Sequence, residues 1–514
     1  MQLHDKIGQM FMVGFHGLEA PGYVLDWLNQ GRIGGVVLFA RNVESPAQLA
    51  QLTSAIHKAA QYPALIAIDQ EGGTVARLRD GFTESPGAMA LSSAADGPQL
   101  AGQMDEILAE ELHVLGVNWN FAPALDIAYN PSNAAIGTRS FGSDPARVAE
   151  MGAAAVRGFQ RGGVAACAKH FPGLGNTDVD THLALPVLDM PLAQLLDTPM
   201  QPFRAAIEAG VASIMTTHTI FTSLDANLPA TLSPVVIQQV LRQYLGFRGV
   251  VTSDCLEMKA ITDHHSPGET AVLGALAGLD VMLFSHTREV QQAAFDGLLA
   301  AVHEGRVPEV MIDNACQRIM ALKRAFPVQP PDISVIQQPG HTELALKAAR
   351  AGISLVRDVG LVPLSGSIVL VEFASALESG ILESGGLTGF AAALRQRLPG
   401  IEVVALGQFP YILPEVARAH QLARSCDVLV LGTRNAHLNP PQLDLARQLM
   451  AVANKVVLVC LRNPYDAAPL NEANTILCTC GDSTPSLHAA AEALMGSFRP
   501  DGVLPVQLDQ LSLS

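Results

Sequence analysis

The chain alternates between short, almost continuously apolar runs and longer segments in which apolar residues recur at helical spacing. A run such as residues 34–39 is long enough for a strand but far below the roughly 20 residues of a membrane-spanning helix. Residues 99–115 and 144–161 have the spacing of helices that bury one face. Apolar strands separated by helices indicate a parallel sheet covered on both sides.

Eight such apolar runs precede residue 300. The predicted strands are residues 10–14, 34–39, 64–68, 119–122, 164–168, 212–215, 249–252 and 281–284. Strand–helix units in this number and of this length predict a (β/α)8 barrel, the TIM-like fold, rather than an open sheet. The fold class is therefore α/β, with a barrel domain expected over residues 1–326.

A proline-containing stretch, residues 326–331, follows the last helical segment of this barrel. Prolines cannot continue a helix, so the first domain is expected to end there. A second alternation has predicted strands at residues 368–373, 403–406, 428–431, 456–461 and 475–478. It predicts a smaller open α/β sandwich of flavodoxin type. We expect a linker over residues 327–345 and a second domain over 346–514.

The formal net charge of −16 and the lack of a dense basic run argue against a nucleic-acid partner. No apolar run is long enough for a membrane span, and residues 1–6 lack the basic-then-apolar layout of a signal peptide. Seven cysteines, several of them in apolar runs, are typical of buried thiols in a reducing compartment. We therefore expect a cytoplasmic protein with no membrane partner, and oligomerisation stays open.

Polar side chains follow most of the predicted barrel strands. They include Asp69, Gln70 and Glu71 after the third strand, Asp126 and Arg139 after the fourth, Lys169 and His170 after the fifth, Thr217 and His218 after the sixth, Ser253 and Asp254 after the seventh, and Ser285 and His286 after the eighth. The carboxyl ends of barrel strands meet at one rim, where barrel enzymes place their catalytic residues. A single residue of this kind is usually a turn former or a helix cap. Their repetition predicts a polar site at the rim.

Two groups are suited to bond-making chemistry. Asp254, at the end of an apolar run, can be held rigidly as a nucleophile, although Asp is also a common helix N-cap. Asp180 and His182 are two residues apart, so in an extended loop they project to the same side. Asp180 can then orient the imidazole for proton transfer. In isolation, such a pair is more often a backbone-capping Asp beside a solvated His.

A zinc site is the competing interpretation of the histidines at the rim. Their spacing matches no compact metal-binding motif such as His-Glu-x-x-His. We therefore expect neither a metal nor another cofactor.

Six segments carry a resemblance to a known family. They are DQEGGTVARL at 69–78, TRSF at 138–141, KHFPG at 169–173, DTH at 180–182, SD at 253–254 and RPDGVLPV at 499–506. Together they resemble family 3 glycoside hydrolases, specifically the bacterial β-N-acetylglucosaminidases of cell-wall recycling. The resemblance implies that the sugar is bound by Asp69, Arg77, Arg139, Lys169 and His170. It further implies that Asp254 is the nucleophile and that Asp180 and His182 form the acid/base dyad.

Two positions depart from the family pattern. Cys255 stands where a second Asp is usual, and Leu174 stands where a His is usual. A missing carboxylate beside Asp254 alters its electrostatic surroundings, because a neighbouring negative charge raises the pKa of a carboxyl group. Leu174 is expected to make its loop less polar and to change how the loop closes.

The function expected from this resemblance is a retaining exo-β-N-acetylglucosaminidase, a β-N-acetylhexosaminidase-type glycoside hydrolase that removes terminal N-acetylglucosamine from muropeptide-type fragments. Its partner is thus a small carbohydrate. One alternative is a phosphorylase that uses phosphate in place of water as the acceptor. Another is a degenerate sugar-binding homologue without turnover, since a fold alone does not establish an activity.

Overall fold

The computed structural model describes residues 1–175, 177, 185–374 and 389–508. Its first part is a closed barrel of eight parallel strands arranged around the barrel in chain order. The strands are β1 (Phe11–Val13), β2 (Gly35–Leu38), β3 (Leu65–Ile68), β4 (Trp119–Asn120), β5 (Ala165–Phe171), β6 (Ser213–Thr216), β7 (Val250–Cys255) and β8 (Val281–Phe284). Each overlaps a predicted strand, so the predicted barrel is confirmed.

Helices cover the outside of the barrel and connect its strands. They are α1 (Leu3–Gln9), α2 (Gly22–Asn29), α3 (Pro46–Ala59), α4 (Ala88–Ser93), α5 (Gly97–His113), α6 (Pro145–Arg161), α7 (Leu192–Asp197), α8 (Gln201–Glu208), α9 (Lys259–Thr262), α10 (Pro267–Ala277), α11 (Arg288–His303) and α12 (Glu309–Ala325). Helices α3, α6 and α10 begin in the same way. Ser45, Asp144 and Ser266 each accept a hydrogen bond from a backbone N–H of the first turn, and a proline follows each cap. The cap side chain satisfies a backbone N–H group that has no partner within the helix, and the proline fixes the φ angle of the first helical residue.

The segment between β6 and β7 differs from an ordinary helix. Residues Val235–Tyr244 form a π-helix, and Leu245 N–H donates to the carbonyl of Val240, five residues earlier, at 2.9 Å. The apolar spacing predicts a helix here, but it does not distinguish this wider form from an α-helix.

The second sheet contains five parallel strands and one antiparallel edge strand. The strands are β9 (Ser354–Arg357), β10 (Ile368–Phe373), β11 (Glu402–Leu406), β12 (Val428–Thr433), β13 (Val456–Cys460) and β14 (Thr475–Cys478), and the helices around them are α13 (Pro339–Gly352), α14 (Gly389–Arg395), α15 (Leu413–Ser425), α16 (Pro440–Val452) and α17 (Thr484–Leu494). The sheet order is β9-β14-β13-β12-β10-β11. Numbered among themselves, the five parallel strands follow the order 2-1-3-4-5 of flavodoxin-like sheets. Strand β9, which pairs antiparallel with β14, was not predicted.

The last barrel helix, α12, ends at Ala325. Helix α13 begins at Pro339, inside the segment expected to be a linker, and its His341 lies 2.8 Å from Glu111 of barrel helix α5. The exact division into domains stays a prediction. Within the part of the chain described, no helix combines the length and the apolar character needed to cross a bilayer.

A buried lysine lies beneath the barrel, at the opposite end from the rim. Lys323 of α12 is only 4% exposed, and its Nζ donates to Gln9 Oε1 at 2.5 Å and to the carbonyl of Gly34 at 2.8 Å. Burial lowers the pKa of Lys323 to about 7, and the electrostatic interaction with Cys316 offsets a small part of this decrease.

This lowered pKa makes a testable prediction about stability. Between pH 7 and the unfolded-state pKa of about 10.4, the unfolded chain holds a proton that the folded chain lacks. The free energy of unfolding should therefore rise with pH in wild type relative to Lys323→Met, by at most about 1.4 kcal/mol per pH unit. Denaturant unfolding at pH 7, 8 and 9 measures the difference, and Lys58→Met serves as the exposed control. A wild-type-minus-variant difference that does not change with pH would contradict the prediction.

Candidate active site

A pocket of about 180 Å³ opens at the carboxyl ends of the barrel strands. Six of the eight predicted site residues line it, namely Asp69, Arg77, Arg139, Lys169, His170 and Asp254. Apolar walls come from residues such as Val37, Phe39 and Met215. The remaining two predicted site residues, Asp180 and His182, lie outside the described residues. Groups separated by up to 185 positions in the chain, from Asp69 to Asp254, thus meet in one place because the barrel gathers its strand ends.

Lys169 is the centre of a buried ion network. It is the fifth residue of β5, and its Nζ lies 2.7 Å from Asp69 Oδ1 and 2.7 Å from Glu71 Oε1. Glu71 also receives a bidentate pair of hydrogen bonds from Arg139, both at 2.8 Å. Arg77 Nη2 lies 3.4 Å from the second oxygen of Asp69. Each carboxylate therefore contacts two cations, which fixes the positions of all five side chains.

The network holds its members in their charged forms. Burial would raise the pKa of Glu71, but Arg139 and Lys169 outweigh it and hold this pKa far below its usual value. Asp69 behaves in the same way, since burial raises its pKa while Lys169 and Arg77 lower it further. Burial would lower the pKa of Lys169, yet Asp69 and Glu71 raise it. The charges are thus retained in a site that largely excludes water.

A second carboxylate arrangement orients His170. Asp126 Oδ2 lies 2.7 Å from His170 Nδ1 and accepts the backbone N–H of the same residue at 3.2 Å. Its other oxygen accepts the backbone N–H of Leu174 at 2.5 Å. Because the carboxylate accepts at Nδ1, the ring presents Nε2 as its second hydrogen-bonding atom. One buried carboxyl group thus orients the ring and anchors the loop after β5.

Asp254 is the fifth residue of β7 and faces the pocket at partial exposure. Its Oδ1 accepts the backbone N–H of Cys255 at 2.7 Å. The carbonyl of the next residue, Cys255, lies 2.9 Å from His218 Nε2, and His218 Nδ1 lies 2.9 Å from Thr231 Oγ1. A carboxylate at the end of a strand whose backbone is itself anchored has the rigidity that attack on a single carbon requires.

The departure at Cys255 leaves an uncharged group beside Asp254. The side chain is buried, and burial raises the pKa of the thiol to about 12, so it stays protonated at neutral pH. The nearby acidic residue of this loop, Glu257, accepts the backbone N–H groups of His286 at 2.7 Å and Thr287 at 2.9 Å. Its carboxylate therefore anchors the loop after β8.

Two residues of this site had no assigned role in the sequence analysis. Glu71 links Lys169 to Arg139, and Asp126 links His170 to Leu174. The available signal was their position shortly after barrel strands, with Glu71 three residues beyond β3 and Asp126 six residues beyond β4. Across the described residues, no three His, Cys, Asp or Glu side chains are grouped in a way that would hold a metal ion.

Comparison with known proteins places this site in a family. Residues 2–322 match the glycosyl hydrolase family 3 N terminal domain. The solved structure of a glycoside hydrolase family 3 beta-N-acetylglucosaminidase from Paenibacillus sp. str. FPU-7 superposes with a TM-score of 0.93 at 36% identity, with 99% of each chain covered.

Two curated relatives are also similar to the chain. Beta-hexosaminidase A of Pseudoalteromonas piscicida is 29% identical over 95% of this chain and 91% of its own length. A beta-hexosaminidase of Methylobacillus flagellatus is 39% identical over 54% of this chain and 84% of its own length. With a family match over more than half of its residues, the chain belongs to glycosyl hydrolase family 3.

Proposed function

We propose that the protein is a retaining exo-β-N-acetylglucosaminidase that removes terminal N-acetylglucosamine from muropeptide-type cell-wall fragments. The observation that carries the proposal is the rim pocket, which combines a rigid carboxylate, Asp254, with a charged network able to hold sugar hydroxyls. Near full-length similarity to a protein named as a beta-N-acetylglucosaminidase supports the choice of sugar.

In the proposed reaction, a carboxylate oxygen of Asp254 attacks the anomeric carbon and forms a glycosyl ester. The bond from that carbon to the departing oxygen breaks, and His182 donates a proton to the departing oxygen. His182, oriented by Asp180, then accepts a proton from water as the water oxygen attacks the same carbon and displaces Asp254. Two inversions at one carbon give retention of configuration.

Five residues are proposed to bind the sugar. Asp69 accepts hydrogen bonds from hydroxyl groups, and Arg77, Arg139 and Lys169 donate to hydroxyl or carbonyl oxygens. His170 contributes Nε2, because Asp126 occupies Nδ1. Charged groups make stronger hydrogen bonds than neutral ones, and here they are preorganised by one another before the sugar arrives.

A cytoplasmic location fits this proposal. All seven cysteines are free and buried, as expected for a protein that folds in a reducing compartment. The substrate would then be a cell-wall fragment that carries a terminal N-acetylglucosamine and is present in the cytoplasm.

The nucleophile is tested by Asp254→Asn, with Asp263→Asn as the exposed control. The variant should lose at least about 10³-fold in kcat/KM on an aryl β-N-acetylglucosaminide, because a neutral amide cannot form the glycosyl ester. The same assay run with and without phosphate distinguishes the acceptors, since a phosphorylase releases N-acetylglucosamine 1-phosphate. Preference for an aryl β-glucoside, or activity retained in Asp254→Asn, would contradict the proposal.

The ion network is tested by Glu71→Gln. This change removes the negative charge shared by Lys169 and Arg139, so N-acetylglucosamine should bind at least about tenfold more weakly and the thermal midpoint should fall. Calorimetric titration with the sugar and thermal unfolding measure the two effects. The matched control is Glu106→Gln, which breaks an exposed bridge to Arg161 and should change neither quantity appreciably. Wild-type sugar affinity in Glu71→Gln would show that the network does not support the binding groups.

The dyad is tested by its dependence on the leaving group. His182→Ala should slow hydrolysis of a substrate with a poor leaving group by about 10²-fold or more, but affect a dinitrophenyl glycoside less at the first step, because that leaving group needs no proton. Asp180→Ala should cost less, since it removes orientation and charge support only. Unchanged turnover of the poor-leaving-group substrate in His182→Ala would refute the acid role.

A further inference from the structure

The loop between β4 and α6 connects the second domain to the pocket. We call residues 127–142 the rim loop. It carries Arg139, which binds Glu71, and it also contacts the segment after β5 and residues of the second domain that follow its strands. The segment after β5 leads, three residues beyond Thr177, to Asp180.

On its outer side, the rim loop is held by a buried pair of the second domain. His437 follows β12, and its side chain is 1% exposed. Its Nδ1 lies 2.7 Å from Asp466 Oδ1, which also accepts the backbone N–H of His437 at 3.0 Å. The other ring nitrogen, Nε2, lies 3.2 Å from the carbonyl of Pro131, and it donates to this carbonyl when both ring nitrogens carry a proton, as in an imidazolium paired with Asp466. Asp466 therefore orients the His437 ring so that its Nε2 faces the rim loop.

Two further contacts extend this attachment. Gly137, with φ of +43°, lies so close to Asn463 that a Cβ at this position would be 2.9 Å from the side-chain nitrogen. Asn463 is itself held by Asn435 Oδ1, which accepts from its side chain at 2.9 Å. Ala128 of the rim loop is buried in the hydrophobic core of the second domain. The outer face of the loop is thus packed as part of that domain.

On its inner side, the rim loop reaches the segment after β5. Asn133 donates to the carbonyl of Leu174 at 3.2 Å and to Thr177 Oγ1 at 3.3 Å. The side-chain oxygen of Asn133 accepts the N–H groups of Ala135 and Ile136, both at 3.1 Å. Arg139 also donates to the carbonyl of Ala135 at 2.7 Å. Movement of the rim loop would therefore shift the Arg139 guanidinium and the support of Leu174 and Thr177 together.

From these contacts we propose that His437 is a positioning residue: it acts through the rim loop to set both the Arg139 guanidinium and the start of the segment that leads to Asp180 and His182. This proposal rests on the proposed function. A buried histidine–carboxylate pair is weak evidence for stability, because removing two polar groups from water offsets much of their attraction. The Nε2 atom of His437 faces a loop that carries a pocket residue, Arg139, which is the arrangement that positioning requires.

The test compares His437→Ala with His420→Ala, a control in helix α15 of the same domain. Three effects are expected in His437→Ala alone: about tenfold weaker binding of N-acetylglucosamine, a higher KM for aryl glycosides, and a larger fall in kcat for a poor leaving group than for dinitrophenyl. The first two report on Arg139, and the third reports on the dyad. Binding, KM and kcat all within twofold of wild type would overturn the proposal.

Backbone hydrogen exchange separates positioning from unfolding. In His437→Ala, amides of residues 133–139 and of Leu174 should exchange faster, while strands β10 to β14 keep their wild-type protection. Equal loss of protection throughout the second domain would overturn the proposal, because His437 would then act only in folding. Exchange needs no turnover, so it decides the positioning role even if wild type fails to release N-acetylglucosamine, a result that would refute the proposed function separately.

Discussion

The structure of the site depends on keeping an ammonium group charged in a place that excludes water. Lys169 is 2% exposed, and desolvation of an isolated charge there would drive it to the neutral form. Asp69 and Glu71 prevent this, and each carboxylate requires a second cation, supplied by Arg77 and Arg139. The network therefore cannot be built by one strand. It needs β3, β5 and the rim loop to be in place at once.

The barrel was predictable because most of its strands contain a short run of buried apolar residues. A strand buried on both faces, such as β2 with all four residues buried, leaves a continuous apolar run in the sequence. Strand β9 leaves no such run, since it is an edge strand whose second half, Val356 and Arg357, is exposed. The π-helical form of Val235–Tyr244 was also beyond prediction, because apolar spacing reports the buried face and not the hydrogen-bonding pattern.

The convergence of polar residues at the rim was predictable from the sequence, but the way they pair with one another was not. Barrel geometry brings together whatever follows the strands, so Asp69, Lys169 and Asp254 could be expected to meet. Which carboxylate pairs with which cation depends on side-chain reach across the rim. Glu71 and Arg139 are 68 positions apart, and the residues around each of them do not indicate that the two form an ion pair. The role of the second domain was hidden for the same reason, since His437 and Pro131 are separated by 306 positions.

The two hydrogen bonds made by the backbone of Leu174 give this position a different meaning from the one its side chain suggests. The carboxylate of Asp126 binds the main-chain N–H of Leu174, and Asn133 binds its main-chain carbonyl. Both groups belong to the backbone and are present whichever side chain occupies the position, with proline alone lacking the N–H. The two backbone hydrogen bonds that attach the segment after β5 therefore do not depend on the side chain at position 174. A leucine can stand there in place of a histidine with both hydrogen bonds kept.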